Sequence, residues 1–162
     1  MNGSVSCREA SKADLPAVLR LHAQLALDDD KVLSLDEAER VFERFALYPD
    51  YKIYLAVREG NVIGTFALLV MDNLGHMGAP SAIIEDVAVD PEWQGHGVGK
   101  MMMRHALKIC SEKGCYKAVL SSNLKRERAH AFYESLGFER HGYSFRISTE
   151  PEPEAGDAKR RG

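Results

Sequence analysis

The sequence has little of what marks a membrane, secreted or nucleic-acid-binding protein. No window approaches the ~20 uninterrupted apolar residues of a membrane span, and the N-terminus lacks the basic, apolar and small-residue order of a signal peptide. Basic residues are not in excess, since 21 Lys and Arg against 24 Asp and Glu give a formal net charge of −3 at pH 7. These absences predict a cytoplasmic protein that binds neither membrane nor nucleic acid.

Cysteine and metal-ligand patterns are equally scarce. The three cysteines, Cys7, Cys110 and Cys115, are odd in number and lack the CxxC spacing of a metal knuckle or redox pair. The six histidines lack ligand spacing such as H-E-x-x-H. We therefore expect reduced thiols and no metal.

What is present suits one compact domain. The length of 162 residues falls within the usual size of a single domain, and 45% hydrophobic with 28% charged residues is ordinary globular usage. Residues 148–162 (STEPEPEAGDAKRRG) contain no apolar side chain larger than alanine apart from two prolines. We predict a domain over residues 1–147 and a disordered polar tail over 148–162.

Local patterns predict an α/β fold with a mixed sheet. Capping signatures at Ser11-x-x-Asp14 and Ser34-x-x-Glu37 precede apolar stripes and predict two helices. Periodicity and turn residues predict the remaining elements: strands over 5–9, 51–58, 62–71, 81–89 and 116–121, helices over 97–113 and 127–136, and closing strands over 138–141 and 143–147. This order predicts a mixed central sheet with helices on its faces.

A glycine-rich turn stands between the strand ending at Val89 and the long helix. It reads Gln94-Gly95-His96-Gly97-Val98-Gly99-Lys100. Glycines let the backbone approach an anion, which the first N–H groups of the helix can hold. The spacing is neither that of a P-loop nor G-x-G-x-x-G. A glycine-rich helix entry without a ligand is the alternative.

Two motifs together resemble the GNAT superfamily of N-acetyltransferases. Gln94-x-x-Gly97-x-Gly99 is similar to its acetyl-CoA pyrophosphate signature. The set Asn123, Ala129, Phe132-Tyr133 and Leu136-Gly137-Phe138 is similar to its second signature, with a longer gap between Asn123 and Ala129. The resemblance covers roughly residues 3–147 and implies a GNAT fold whose sheet is splayed at the acetyl-CoA strand.

The resemblance also implies how acetyl-CoA is bound as co-substrate. Backbone groups of Val87, Ala88 and Val89 would hydrogen bond to the pantetheine arm, and the Val87 N–H would donate to the thioester carbonyl. The turn from Gln94 to Lys100 would bind the pyrophosphate. Asn123, Phe132 and Tyr133 complete the cofactor set, and the Tyr133 hydroxyl meets the coenzyme sulfur as an acid. Without the motif, Tyr133 reads as a core aromatic.

An acceptor ammonium must lose a proton before it attacks a thioester, and a carboxylate whose pKa is raised by burial can take that proton. Glu85 and Asp86 are candidates on the same strand. Strict alternation puts adjacent side chains on opposite faces, so only one would line the cleft. We favour Glu85 because Val87 and Val89 share its parity and because the glucosamine-phosphate acetyltransferases carry Glu-Asp in a similar strand. A carboxylate satisfied by arginine or solvent is the alternative.

The run from Ser121 to Tyr133 also resembles the aminoalkylphosphonate acetyltransferases. Its cations Lys125, Arg126 and Arg128 follow a strand end, where open α/β sheets bind ligands. They could hold a substrate anion or the 3′-phosphate of coenzyme A, or simply be a solvated helix start. Ser121 and His76, in the loop before the β-strand over 81–89, complete the predicted substrate set.

These inferences predict an acetyl-CoA-dependent N-acetyltransferase that works by direct transfer in a ternary complex. The acceptor would be the primary amine of a small molecule that also bears a phosphonate, phosphate or carboxylate. The alternatives are a protein or peptide N-acetyltransferase and a non-catalytic acyl-CoA-binding module. The closing strands near Phe145 are the expected contact of a homodimer.

Overall fold

The computed structural model describes residues 3–25, 31–147 and 149. Apart from residue 149, the predicted tail over 148–162 lies outside the described residues. The chain divides after Asn123 into two compact units, and each is considered by itself.

The first unit is built on one five-stranded sheet with the strands in chain order. The strands are β1 Ser6–Glu9, β2 Tyr51–Arg58, β3 Asn61–Met71, β4 Ser81–Val89 and β5 Lys117–Val119. Neighbours from β1 to β4 are antiparallel, and β5 is parallel to β4. The predicted mixed sheet is confirmed.

The helices of this unit are α1 Leu15–Gln24, α2 Leu35–Phe45 and α3 Val98–Glu112. The predicted capping box before α2 is present, because the Ser34 amide donates to Glu37 at 2.9 Å and the Glu37 amide donates to the Ser34 hydroxyl at 3.4 Å. Before α1, the amide and hydroxyl of Ser11 both donate to Asp14 at 2.8 Å. Local side-chain chemistry thus fixes both helix starts.

Helices cover both faces of the sheet. On one face, Val18 of α1 packs in a buried cluster with Leu55 of β2. On the other face, Tyr54 of β2 meets His105 of α3 edge-on at 5.5 Å between ring centroids. The prediction of helices on both faces is confirmed. Strands β3 and β4 each lie between α1 on one face and α3 on the other.

The β2–β3 hairpin turns at Glu59-Gly60, where φ is 50° and 81°. Two successive positive φ values fit a two-residue type I′ turn, the connection that matches strand twist. The hairpin predicted from the sequence is confirmed.

In the second unit, the described residues form one further helix, α4 Glu127–Ser135. The prediction of closing strands over 138–141 and 143–147 is wrong, because residues 138–147 form no strand. The side chains of Tyr143 and Phe145 are each 92% exposed and that of Ile147 is 85% exposed. Period-two alternation creates an apolar face, but a strand also needs a neighbour for its backbone hydrogen bonds.

None of the described helices is long and apolar enough to cross a membrane.

Candidate functional site

Strand β4 loses its neighbour on one side halfway along its length. β5 pairs with its first three residues only, ending at Ile83↔Val119, whereas β3 pairs with it as far as Val89. Among the described strands, none pairs with residues 84–89 on the β5 side. Alternate backbone N–H and C=O groups there face away from β3, so an extended ligand can hydrogen bond to them. The predicted splay of the sheet is confirmed.

The open strand runs directly into the glycine turn. The Gln94 side chain donates to the Val89 carbonyl at 3.2 Å, which folds the turn back onto the strand end. Arg20 of α1 binds Asp90 at 2.6 Å, and the Arg58 guanidinium lies 4.5 Å from the Trp93 ring centroid. The Arg20 hydrogen bond also holds the pKa of Asp90 below its usual range. The turn is therefore held from both faces of the sheet.

Gly95 and Gly97 have left-handed backbones with φ of 79° and 81°. An added Cβ at either position would meet nothing within 4 Å, so the backbone conformation rather than packing calls for glycine. Gly97 is the N-cap of α3 and carries no side chain to satisfy the helix start. The first N–H groups of α3 have no partner within the helix, and they form the positive end of its dipole.

The other predicted residues of the turn are arranged around this helix start. His96 is fixed by a 3.0 Å contact of its Nδ1 with the Gln94 carbonyl. The Val98 side chain is buried, so only its backbone can meet a ligand. Gly99 and Lys100 follow in the first turn of α3. Open space, left-handed glycines and an uncapped helix start fit an anionic phosphate group.

A buried hydroxyl adds a second sign of a ligand. The Ser122 Oγ atom has no hydrogen-bond partner among the described residues. Buried hydroxyls are nearly always paired, so a bound group or water is expected there. Sequence reasoning passed over Ser122 because a serine in a loop carries no signal of its own burial.

A β-bulge changes which side chains of β4 share a face. Glu85 lies opposite Ala67 and Ala88 lies opposite Thr65, so Asp86 and Val87 together face the single residue Phe66. Asp86 takes the extra position with φ of 51°, in the left-handed region. The predicted shared parity of Glu85 with Val87 and Val89 is wrong, because the extra residue shifts the alternation and Ala88 takes the face of Glu85.

Register places Glu85 on the α1 face, and Asp86, at the bulge, lies within electrostatic range of side chains on that face. Glu85 shares this face with its register partners Ala67 and Ile53. Asp86 acts electrostatically on His22 of α1, and both carboxylates act on Tyr51 of β2. Glu85 and Asp86 are exposed although their strand is central. The burial on which the choice of Glu85 as base partly rested is absent.

Tyr51 and His22 are residues of this cleft that sequence reasoning did not single out. Burial, followed by the charges of Glu85 and Asp86, raises the pKa of Tyr51, so its phenol stays neutral. Burial lowers the pKa of His22 in spite of Asp86, so its imidazole is uncharged at neutral pH. Phe45 of α2 stacks on Tyr51 at 4.1 Å between centroids. Alternation in β2 predicts the face of Tyr51, but the electrostatic effect of Asp86 on Tyr51 could not be foreseen from the sequence.

His76 lies at the other end of β4. It stacks on Tyr116 at 3.9 Å between centroids, in the loop before Ser81. Glu85 lies four steps along the strand from Ser81, a distance of roughly 13 Å. A cleft of about 270 Å³ also lies at that end, with Asp50, Leu69, Pro80 and Lys113 in its lining. Neither feature is brought to the glycine turn.

The described histidine, cysteine and acidic side chains include no group of three placed to hold a metal ion.

The second unit presents Tyr133 within an aromatic group on α4. Its ring contacts Phe132 at 5.1 Å and Phe138 at 5.7 Å between centroids. Burial raises the pKa of Tyr133, and the Arg126 charge only partly opposes this, so the phenol keeps its proton. The predicted polar residues around the unit boundary, Ser121, Asn123, Lys125, Arg126 and Arg128, are all exposed.

Comparison with known families gives one match that spans most of the chain. A model described as the Acetyltransferase (GNAT) family matches residues 19–138. This range includes the glycine turn and α4, and it continues across the boundary between the two units.

Two relatives by sequence carry named activities. A "Glucosamine 6-phosphate N-acetyltransferase" of Trypanosoma brucei brucei is 34% identical over 96 residues, which cover 59% of this chain and 63% of that protein. An "Aminoalkylphosphonate N-acetyltransferase" of Salmonella typhimurium is 27% identical over 138 residues, which cover 85% of this chain and 87% of that protein. The match thus spans less than two thirds of the first relative.

Solved structures share the fold. An acetyltransferase of Trypanosoma brucei has a TM-score of 0.77 and 28% identity, with 90% of this chain and 99% of that chain covered. A glucosamine-6-phosphate N-acetyltransferase of Arabidopsis thaliana has a TM-score of 0.78 and 22% identity, with 91% and 99% covered. At that second identity the likeness concerns the fold alone.

Proposed function

The chain belongs to the GNAT family of acetyltransferases, and from this premise we propose that it transfers acetyl from acetyl-CoA to the primary amine of a small molecule. The observation that carries the proposal is the open edge of β4 over residues 84–89, which runs into an uncapped helix start at Gly97. The family match crosses both units, which supports one acetyltransferase domain over residues 1–147.

Acetyl-CoA, when bound, supplies the acetyl group as a thioester. The backbone of Val87, Ala88 and Val89 hydrogen bonds to the pantetheine arm, and the turn from Gln94 to Lys100 holds the pyrophosphate. Asn123, Phe132 and Tyr133 complete the set, and the unpaired hydroxyl of Ser122 is a further candidate donor. The left-handed glycines with open space beside them support this assignment.

Glu85 accepts the proton that the acceptor ammonium must lose, directly or through a water. Asp86 adds a second negative charge next to Glu85 and favours binding of the ammonium. Because Glu85 is exposed, its carboxylate can contact the acceptor ammonium as well as relay its proton. Direct transfer in a ternary complex needs no covalent intermediate on the protein.

Tyr133 and Val87 act on the thioester itself. The Val87 N–H donates to the acetyl carbonyl oxygen and stabilises the charge that develops there. Tyr133 protonates the departing thiolate, and its raised pKa supports this acid role, because the phenol retains its proton until it is needed.

The acceptor joins an amine to an anionic group. The cations Lys125, Arg126 and Arg128, with Ser121, supply the anion site, and the names of the two sequence relatives support a phosphate or phosphonate there. Glu85 and Asp86 attract the amine, while the Phe45–Tyr51 stack offers an aromatic surface to the rest of the molecule.

A homodimer is part of the proposal. Tyr143, Phe145 and Ile147 alternate in a segment that forms neither helix nor strand, and they are almost fully exposed. A second copy of the chain that pairs with this segment supplies the neighbouring strand and removes three apolar side chains from water.

Release of coenzyme A from acetyl-CoA tests the function against a panel of acceptors. We expect kcat/KM for glucosamine 6-phosphate or aminomethylphosphonate to exceed that for a free amino acid, spermidine or an N-terminal peptide. Glu85→Gln should lower turnover about 100-fold or more, whereas acetyl-CoA affinity should stay unchanged. A preference for the peptide or spermidine removes the anionic acceptor but keeps the enzyme. Acetyl-CoA binding without turnover on any amine favours the non-catalytic module.

A further inference from the structure

The C-terminus of α3 brings two cysteines together. Gly114 follows the helix with φ of 71°, in the left-handed region. The Cys115 amide donates to the Cys110 carbonyl at 2.9 Å, and the Gly114 amide donates to the Ser111 carbonyl at 3.1 Å. This pair of bonds is a Schellman motif, in which the side chains three positions inside and two beyond the helix end come into contact.

Here both of those side chains are thiols, and Cys115 lies close enough to act on the pKa of the Cys110 thiol. Cys110 is only 5% exposed, whereas Cys115 is partly exposed. Cys7 lies in β1, at the opposite edge of the sheet from β5, the strand into which Cys115 leads. The proximal thiol pair is therefore Cys110 and Cys115.

We propose that Cys110 and Cys115 are a thiol modification site that low-molecular-weight disulfides such as oxidised glutathione convert into an intramolecular disulfide. The Cys115 thiolate attacks one sulfur of oxidised glutathione, and one glutathione leaves as a thiolate. Cys110 then loses its proton to solvent and attacks the Cys115 sulfur, which expels the second glutathione. Two protein thiols are oxidised by two electrons and one glutathione disulfide is reduced.

The roles of the two thiols follow from their surroundings. Burial first, and Cys115 second, raise the pKa of the Cys110 thiol to about 11. Cys110 is thus protonated at neutral pH and cannot attack oxidised glutathione first. Its position next to Cys115 lets it carry out the second step, attack on the Cys115 sulfur. Ring closure should quicken as the pH rises from 7 to 9, because more Cys110 is then thiolate.

The bond joins the end of α3 to the segment that enters β5. α3 has 15 residues, about 22 Å in length, and this separates the pair from the glycine turn at its start. Disulfide formation should therefore leave acetyl-CoA affinity within about threefold, while the melting temperature rises because the unfolded chain is cross-linked. The inference is independent of the proposed reaction.

Thiol counting and mass spectrometry test the site in the full chain. After incubation with oxidised glutathione and removal of excess, we expect titratable thiols in denaturant to fall from three to one. Peptide mapping should show a Cys110–Cys115 link. Cys110→Ser should stop at a glutathione adduct on Cys115, and Cys115→Ser should give neither adduct nor disulfide at Cys110. Cys7→Ser, a control in β1, should still form the link.

Three persisting thiols, or a stable glutathione adduct on wild-type Cys115 at pH 9, would overturn the proposal. A link through Cys7 would do the same. Because the serine variants could unfold, wild-type and Cys7→Ser protein carry the decisive measurements, and circular dichroism checks the fold of each sample.

Discussion

Gly97 and Gly60 provide a matched pair at the residue scale. Each has φ of 81° with no atom within 4 Å of an added Cβ, but Gly97 begins α3 and Gly60 turns the β2–β3 hairpin. Valine at either position meets the same left-handed strain, of about 1–2 kcal/mol. A difference in acetyl-CoA affinity between the two valine variants therefore reports on the place of Gly97 in the glycine turn and not on backbone strain.

We predict that Gly97→Val weakens acetyl-CoA binding at least tenfold, because its side chain fills the space in front of the α3 N–H groups. Gly60→Val should lose comparable stability and keep its affinity. Calorimetric titration of folded variants measures both. Equal acetyl-CoA affinity in the two variants would remove the glycine turn from the cofactor site.

Tyr133→Phe keeps the aromatic contacts of α4 and deletes one hydroxyl. We predict a loss of about 10²-fold in kcat, with little change in the KM for acetyl-CoA, if the phenol delivers a proton to the thiolate. Phe138→Leu, which alters the packing against the Tyr133 ring, is the control for packing. A pH–rate profile completes the test. Burial raises the pKa of Tyr133 from its ordinary value of 10.0, so the phenol should lose its proton, and kcat should fall, only above pH 10. Full turnover of Tyr133→Phe across the profile would assign the residue to packing.

At the scale of elements, the link between β1 and α1 is electrostatic. Arg8 of β1 makes two hydrogen bonds to Asp14, at 2.8 and 2.7 Å, and Ser11 adds its own. The Arg8 hydrogen bonds, more than those from Ser11, hold the pKa of Asp14 far below its ordinary value of 3.8. A lowered folded pKa means stability that is present above pH 4 and is lost as the pH falls below it.

We predict that Asp14→Asn lowers the free energy of unfolding by about 1 kcal/mol at pH 7, a modest figure because Arg8 is half-exposed. The difference in free energy of unfolding between wild type and Asp14→Asn should become smaller as the pH is lowered from 4 toward 2. Urea unfolding at several pH values gives the comparison. Asp36→Asn in the first turn of α2 controls for loss of a surface charge. A gap that stays constant with pH would contradict the role of the ion pair.

Elements whose cause is local were predictable from the sequence. The Ser11 and Ser34 caps, the Glu59-Gly60 turn and the helix start at Gly97 each depend on neighbours within a few residues. The bulge at Asp86 was not predictable, because it depends on how β4 registers against β3 and because SAIIEDVAV contains no glycine to mark it. Residues 143–147 alternate as a strand does, but their pairing depends on a partner that no local pattern specifies.

At the scale of the whole molecule, three alternating side chains present a large apolar surface. Tyr143→Ser, Phe145→Ser and Ile147→Ser together should convert a dimer into a monomer, since this segment is the proposed contact. Leu74→Ser with Met77→Ser is the control, because these loop residues are fully exposed in the first unit. Sedimentation velocity over a range of concentrations measures the change. A wild-type monomer at every concentration, or dissociation by the control pair, would refute this contact.

The open edge of β4 also bears on how the protein behaves in concentrated solution. A strand with free backbone groups over residues 84–89 is a template on which other chains can add, which is a route to aggregation. Adjacent negative charges at Glu85 and Asp86, together with a left-handed kink, make that edge a poor template. The two residues that we propose attract the acceptor ammonium thus also act as gatekeepers, and neutralising both should lower solubility as well as turnover.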